Sequence, residues 1–543
     1  MRAIRQAVLT LVFMALGGCW AQVAVADEAA EVYDPSKMYV IKLTLPPSSQ
    51  LALENWETWQ EYQPGKFSWA VSSNGVPPSP GAFTTPDDVE IRLKGNYSFR
   101  NLTAKSAFKV KFPKTKPFKG LRVLTLNNMV NDPSMIRETL AYTAYRAAGV
   151  PASRTGYAYV YVNGVDYGIH LNIETMDKIA LEKLLGDFND DAQHLYEGED
   201  GADVHPSVKA KFEVDEGDEE DLSDLDALVA AVNSSGSQPW AQRVAGVADL
   251  EEMTRMWATE KYIGQWDGYA GQEESWTPNN YYLYSDPDGV FQMLPWGNDE
   301  SMQAHNPLPF DGAAGLMFDL CLADAPCRAL YRQSVAAVRD AIVDADLDPL
   351  AVGSAAMLAP WQAKEVKEST REEWGVQEIG NGVAEVRSLL AARPAEVAEW
   401  LDGEGSEGEE GGGESEKGSQ PGQSLPATAP SGDLASPPIQ GKGRLRLGKL
   451  RMARGVLHAR IGLWSSGSVV LQAKVSTGKG ALVVCSDRAR VERPEVVALR
   501  CQMPASVLDR LRAGSLGVTL STRFVPSGGR PENASRWVVL PRT

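Results

Sequence analysis

From Gly403 to Pro438 the chain is almost entirely Gly, Ser, Glu and Pro, with hardly a large apolar residue. Such a stretch cannot bury enough surface to offset the entropy of ordering it, so it reads as a flexible acidic tether, 402–442. A tether in that place forces two cores, one over about 30–401 and one over 443–543. Their charges oppose. Residues 441–543 hold 19 Lys/Arg against 5 Asp/Glu, a net of +14, and the whole chain carries −18, which leaves −32 on residues 1–440. Acidity on that scale argues against a nucleic-acid binder, because phosphate contacts need a basic field.

The amino terminus speaks for export. Arg2 and Arg5 precede an apolar run from Ala7 to Leu16, too short to span a bilayer and the right length for a signal-peptide core. Two exits compete. Leu16-Gly17-Gly18-Cys19 resembles a lipoprotein box, which would leave 1–18 as the leader and a lipid on Cys19, the one route to a membrane. Ala24-Val25-Ala26 before Asp27 suits ordinary cleavage after 26. Either way the chain is destined for the envelope, the periplasm or the medium. Setting Cys19 aside leaves two local pairs, Cys321 with Cys327 and Cys485 with Cys501, which an oxidising compartment would join as disulfides. Neither a C-x-x-C pair nor H-E-x-x-H occurs, so no zinc site is indicated.

After the tether, Val456–Ile461 and Ser468–Val475 alternate apolar with polar residues between Gly breaks. Short strands at that spacing predict a small β-sandwich. Its charge would suit an anionic cell-surface polymer, a partner protein or its own acidic tether. Before the tether the pattern is mixed. Val89–Gly95 and Ala107–Phe112 alternate as strands, with Phe108, Val110 and Phe112 on one face and Lys109 and Lys111 on the other. A helix is predicted from Asp132 as N-cap and Pro133 to Gly149 and Pro151. Strands follow at 156–162 and 170–173 around an Asn163-Gly164 turn, then a helix at 176–185. Residues 187–226 hold 16 Asp/Glu against 2 Lys. No calcium-loop register is present, and a solvated insertion is expected there. Helices are predicted near 249–265, 325–343 and 379–401, around a β-like island at 281–295.

Polar and aromatic residues are densest in Gln265-Trp266-Asp267-Gly268-Tyr269, Asn279–Tyr284 and Leu294–Glu300. Carboxylate and amide oxygens converging at element ends suit a hard divalent ion, and a nearby carboxylate can accept a hydroxyl proton. The same residue types are also ordinary caps and turns, so Asp267, Asn280 and Asp299 carry both readings.

Taken together, the motifs resemble the spore-coat-H (CotH) kinase family from about residue 36 to 401. The resemblance is carried by Arg92-Leu93-Lys94-Gly95, Lys105–Phe112, Leu126-Asn127-Asn128 with Asp132-Pro133-Ser134 and Arg137-Glu138, Val162-Asn163-Gly164, Ile173-Glu174, Trp266-Asp267-Gly268-Tyr269, Asn280–Tyr284 and Pro295-Trp296, in that order. It implies an α+β, atypical protein-kinase-like two-lobed domain that uses ATP and Mg²⁺ to phosphorylate proteins. By that likeness Asp267 is the catalytic-loop Asp, and Asn280 and Asp299 hold the metal. Lys109 or Lys105 contacts phosphate, Glu138 on the following helix is its partner, and Glu174 lies near the hinge.

Two departures stand out. Asp267 and Asn280 are thirteen residues apart where the family pattern has five, so Gln272–Pro278 reads as an insertion. The family's Trp-Asp-x-Asp is Trp296-Gly297-Asn298-Asp299, with glycine where the principal metal ligand belongs. Two expectations follow. In one, Asp299 replaces that ligand, assisted by Glu300, and the protein is an exported kinase. In the other, phosphoryl transfer is lost and a kinase-fold scaffold displays the basic domain.

Overall fold

The computed structural model describes residues 27–406 and 446–540 apart from short interruptions, 272–277 and 508–515 among them. The leader with Cys19, the tether from 407 and most of the Gln272–Pro278 insertion lie outside the described residues. The chain divides into two units, residues 1–415 and 416–543.

Seven strands open the first unit: β1 (Met38–Thr44), β2 (Gln63–Ser72), β3 (Asp87–Lys94), β4 (Ala107–Lys111), β5 (Val123–Asn127), β6 (Thr155–Val162) and β7 (Val165–Ile173), with helix α1 (Pro47–Glu54) after β1. They close into a barrel in the order β1-β2-β3-β4-β5-β7-β6. Parallel pairing of β1 with β6, from Met38↔Tyr157 to Leu43↔Val162, makes the seam. Alternation in β3 and β4 sends Val89, Ile91, Leu93, Phe108 and Val110 inward and leaves Arg92, Lys94, Lys109 and Lys111 outside, as the pattern predicts. The wall made by β1, β6 and β7 is buried on both faces. Ile41, Leu43, Ala158 and Val160 fill the barrel, while Val40, Tyr157, Tyr159, Ile169 and Leu171 belong to a second core with the helices. Two-sided burial explains the near-continuous apolar reading of Tyr157–Val162. Asn163 and Gly164 turn β6 into β7 with φ of 50° and 80°, the conformation an Asn-Gly hairpin requires.

Helix α2 (Arg137–Ala147) starts later than predicted. Asp132 does not cap it directly; its carboxylate accepts from Ser134 N (2.9 Å), Ser134 Oγ (2.5 Å) and Arg137 N (2.9 Å). One carboxylate thereby organises a whole extra turn and still satisfies the helix's first N–H. Helix α3 (Lys178–Leu185) is capped by Asp177.

The acidic stretch is no mere insertion. It contributes β8 (His194–Gly198), β9 (Phe212–Glu216) and the start of α4 (Ser223–Val232). Leu195 and Tyr196 of β8 are fully buried, so apolar residues spaced between the charges decide the fold there. Helices α5 (Trp240–Val244) and α6 (Leu250–Ile263) follow, then the hairpin β10 (Tyr281–Ser285) and β11 (Phe291–Pro295). Together β11-β10-β8-β9 form a four-stranded sheet. Helices α7 (Leu316–Ala323) and α8 (Ala325–Ala345) are joined by the expected Cys321–Cys327 disulfide, and α9 (Leu347–Glu368) and α10 (Val376–Ser406) complete the unit. The architecture is thus α+β. Its first sheet is a closed barrel, and the kinase-like two-lobed division that the likeness implied is not plainly marked.

In the second unit β12 (Arg446–Ala453), β13 (Val456–Leu463) and β16 (Glu495–Gln502) form one sheet. A second contains β14 (Gly467–Thr477), β15 (Gly480–Val491), β17 (Leu516–Pro526) and β18 (Glu532–Leu540), in the order β15-β14-β17-β18. Val469, Leu471, Ala473 and Val475 alternate into its core beside Leu457, Ile461, Val518, Leu520 and Phe524. Cys485 is disulfide-bonded; the Cys501 side chain lies outside the described residues. Among the described residues no helix is long and apolar enough to cross a membrane.

One buried ion pair ties barrel to helices. Lys105 Nζ, wholly buried, donates to Glu365 Oε1 of α9 at 2.5 Å, and Ile169 N donates to Glu365 Oε2 at 2.9 Å. Gly168 gives that carboxylate its room, since a Cβ there would overlap it. Removing one partner strands the other charge in the interior. Lys105→Met is therefore expected to cost about 3–5 kcal/mol in urea unfolding of the full chain, and Lys105→Met/Glu365→Leu to recover most of it. Equal losses in both variants would show that the pair is not the tie.

Candidate active site

Helix α6 sets the first part of the site. Asp249 caps its start by accepting from Glu252 N (3.0 Å), and Gly264 ends it in the left-handed region. The loop that follows is shaped by a side chain from the helix itself. Glu260 Oε1 accepts from Tyr269 N (3.0 Å) and Oε2 from Ala270 N (2.6 Å). Gly268 is required because a Cβ there would strike Glu260 Oε1. Burial pushes this carboxyl up to about 8, the two backbone donors opposing the shift. Lys261 Nζ holds Gly271 O at 2.8 Å, and Tyr269 Oη donates to Asp203 Oδ1 (3.0 Å) from the acidic stretch. Asp267 is thus presented on a rigid loop.

Asp267 and Asn280 do come together. Asn280 Nδ2 donates to Asp267 Oδ2 (2.8 Å) and to its carbonyl oxygen (2.9 Å), and Asn279 Nδ2 lies 3.3 Å from both carboxylate oxygens. Asn280 has a positive φ of 54°, and Trp296 N closes on its carbonyl at 3.1 Å. Gly297 follows with φ 53°, and a Cβ at 297 would overlap the Asn280 amide. A side chain at 297 would therefore compete with the Asn280 amide for the same space.

Asp299 is held elsewhere, its Oδ2 accepting from Asn131 Nδ2 at 3.0 Å. Its charge is felt by Glu138, which burial and then Asp299 push up to about 8, and by Glu300, which burial and then Asp299 push up to about 7. Asp267 adds to the same upward push on Glu300, after burial and Asp299.

Beside Glu138 stands Lys94, on the outer face of β3. Lys94 Nζ donates to Asn127 Oδ1, and Asn127 Nδ2 donates to Glu138 Oε2 at 2.9 Å. Lys94 also lies 5.6 Å over the Trp296 ring. Desolvation pulls its ammonium down to about 8, against the pull of Glu138. The available signal was its place before Gly95 on the polar face of β3.

The remaining expected residues are dispersed. Lys109 is on the same outer wall, two residue pairs along, where burial and Arg92 lower its pKa and Asp215 and Glu197 oppose them. Lys105 is committed to Glu365. Glu174 follows β7 and is gripped by Arg154, through Nη2 at 2.5 Å and Nε at 2.8 Å.

Oxygen donors of this kind suit Mg²⁺ chemically. Asn280 engages Asp267 through its amide N–H, not its Oδ1, and Asp299 accepts from Asn131 on Oδ2. Among the described residues no three His, Cys, Asp or Glu side chains converge to hold a metal ion. Asn280 and Asp299 would therefore hold a Mg²⁺ through their oxygens only with a nucleotide's phosphates and water completing its shell.

A model of the CotH kinase protein family matches residues 91–381, more than half of the chain. The chain belongs to the CotH kinase family. It is similar to the inner spore coat protein H of Bacillus subtilis (strain 168), 26% identical over 220 residues, which is 39% of this chain and 58% of that protein. An inner spore coat protein H-like protein of the same organism is 36% identical over 75 residues, 14% of this chain and 24% of that one. The chain thus spans just over half of the first relative and about a quarter of the second. The family match contains Lys94, Glu138, Asp267, Asn280 and Asp299, and excludes the barrel seam on β1 and the whole basic unit.

Gly297→Asp, which restores the family's residue, is expected to destabilise the protein by about 1–3 kcal/mol, through positive φ and overlap with Asn280. Adding Asn280→Gly should return part of that loss. Differential scanning calorimetry of the three proteins checks it; an unshifted Gly297→Asp melt would contradict the overlap.

Proposed function

We propose that this protein is an exported CotH-like phosphotransferase with a kinase-like two-lobed first unit, the barrel forming one lobe and the second sheet with its helices the other. The observation that carries the reading is the Glu260-braced loop. It presents the Asp267 carboxylate on a fixed backbone, where Asn279 and Asn280 donate to it. In this reading Asp267 takes the proton of a protein hydroxyl, the hydroxyl oxygen attacks the γ-phosphorus of ATP, and the bond to the ADP oxygen breaks. ATP with Mg²⁺ is the donor that family membership suggests.

A second reading has an observation of its own. Glycine at 297, where the family has Asp and a side chain would compete with the Asn280 amide, favours a scaffold that has given up transfer. The two part on one measurement: Mg²⁺-dependent phosphate transfer from ATP to protein by the purified full chain. The kinase reading expects transfer, and about a hundredfold or greater loss in Asp267→Asn. Absent transfer, or transfer untouched by Asp267→Asn, would rule that reading out and leave the scaffold.

For the basic unit we propose an anionic envelope polymer as partner. Arg488 and Arg523 are exposed and pair with Val470 from either side, and exposed Arg490 pairs with Ser468 in the next outward row. Binding to a polyphosphate resin should weaken steeply as salt rises. Salt-insensitive retention would argue against an electrostatic face.

A further inference from the structure

We infer that Lys94, carried across the barrel wall to Glu138 by Asn127, is the lysine that grips the nucleotide's phosphates, in place of Lys109 or Lys105. The inference rests on the phosphotransferase reading and names the cation of its donor site.

The barrel's order supplies the argument. β5 is the strand that leads into α2, and the α2 residue turned toward it is Glu138. A kinase-type arrangement places a lysine on such a strand to meet the helix carboxylate. In this chain the residue there is Asn127, which has no charge. The ammonium arrives from two strands away. Lys94 pairs with Ala107 across β3 and β4, and neighbouring Phe108 pairs with Leu126, so the row continues from Ala107 to Asn127. Ala107, wholly buried, has only a methyl group in that row. The small middle residue lets the lysine lie across β4 and reach the amide of Asn127. That amide receives the ammonium on its oxygen and donates its N–H to Glu138. It is a neutral bridge between a cation and an anion.

The surroundings agree. The second oxygen of Glu138, Oε1, is buried without a hydrogen-bond partner, so the carboxylate is not saturated by protein donors. The Trp296 ring flanks the ammonium from the loop that leads to Asp299. Lys94 therefore stands where the barrel wall meets that loop. Lys109 belongs to the next row, with Arg92 and Thr125, and the carboxylates that act on it are Asp215 and Glu197 of the second sheet. Its charge balances that wall. Lys105 is buried on the α9 side with Glu365.

Titration calorimetry of the full chain with ATP, with Mg²⁺ and again in chelator, tests the assignment, and tripolyphosphate isolates the phosphate contribution. Because Lys94→Met alone strands Glu138, the decisive variant is Lys94→Met/Glu138→Gln, which removes both charges and is checked by its melting curve. It should bind ATP and tripolyphosphate about ten- to a hundredfold more weakly than the wild type, the scale of a charged hydrogen bond. Lys109→Met should change affinity less than about threefold. Wild-type affinity in the folded double variant, or the larger loss in Lys109→Met, would overturn the assignment and leave the phosphotransferase reading standing. A wild-type chain that binds no ATP would sink both together.

Discussion

Everything in the first unit leans on a wall with two insides. β1, β6 and β7 present Leu43, Ala158 and Val160 to the barrel and Val40, Tyr157, Tyr159, Ile169 and Leu171 to the helices. Buried on both faces, this wall is mostly apolar, while β3 and β4 on the far side carry a row of basic residues, Arg92, Lys94, Lys109 and Lys111, on their outer face. The shared wall thus fixes the barrel against α2 and α9.

Two of the charge contacts that cross between the parts are deeply buried. Lys105 with Glu365, and Lys94 with Glu138 through Asn127, both join barrel residues to helices. Their roles differ. The first pair is closed, with both Glu365 oxygens occupied. The second leaves Glu138 Oε1 open and sits within range of Asp299 and Trp296. A saturated buried pair fixes structure, whereas an unsaturated one keeps free energy available for a ligand.

Much of this was legible in the sequence. Alternation placed β3 and β4, Asn163-Gly164 fixed the hairpin, and short cysteine spacing gave Cys321–Cys327. What stayed hidden depended on contacts across long separations. The acidic stretch looked solvated because its charges outnumber its apolar residues, yet Leu195 and Tyr196 suffice to hold β8 in a sheet. The family likeness pointed to Lys109 or Lys105 and gave Lys94 no role. Only the register of three strands and the position of α9 separate a lysine facing Glu138 from one facing Glu365. Likewise, Glu260 resembled any exposed helix carboxylate until the loop folded back onto it.

The contact between Asn280 and Gly297 couples two loops that lie apart in sequence. A side chain at 297 would need the space of the Asn280 amide, and moving that amide gives up its hold on Asp267. The exit of β11 and the entry of β10 are therefore one mechanical unit, and altering either re-aims the Asp267 carboxylate.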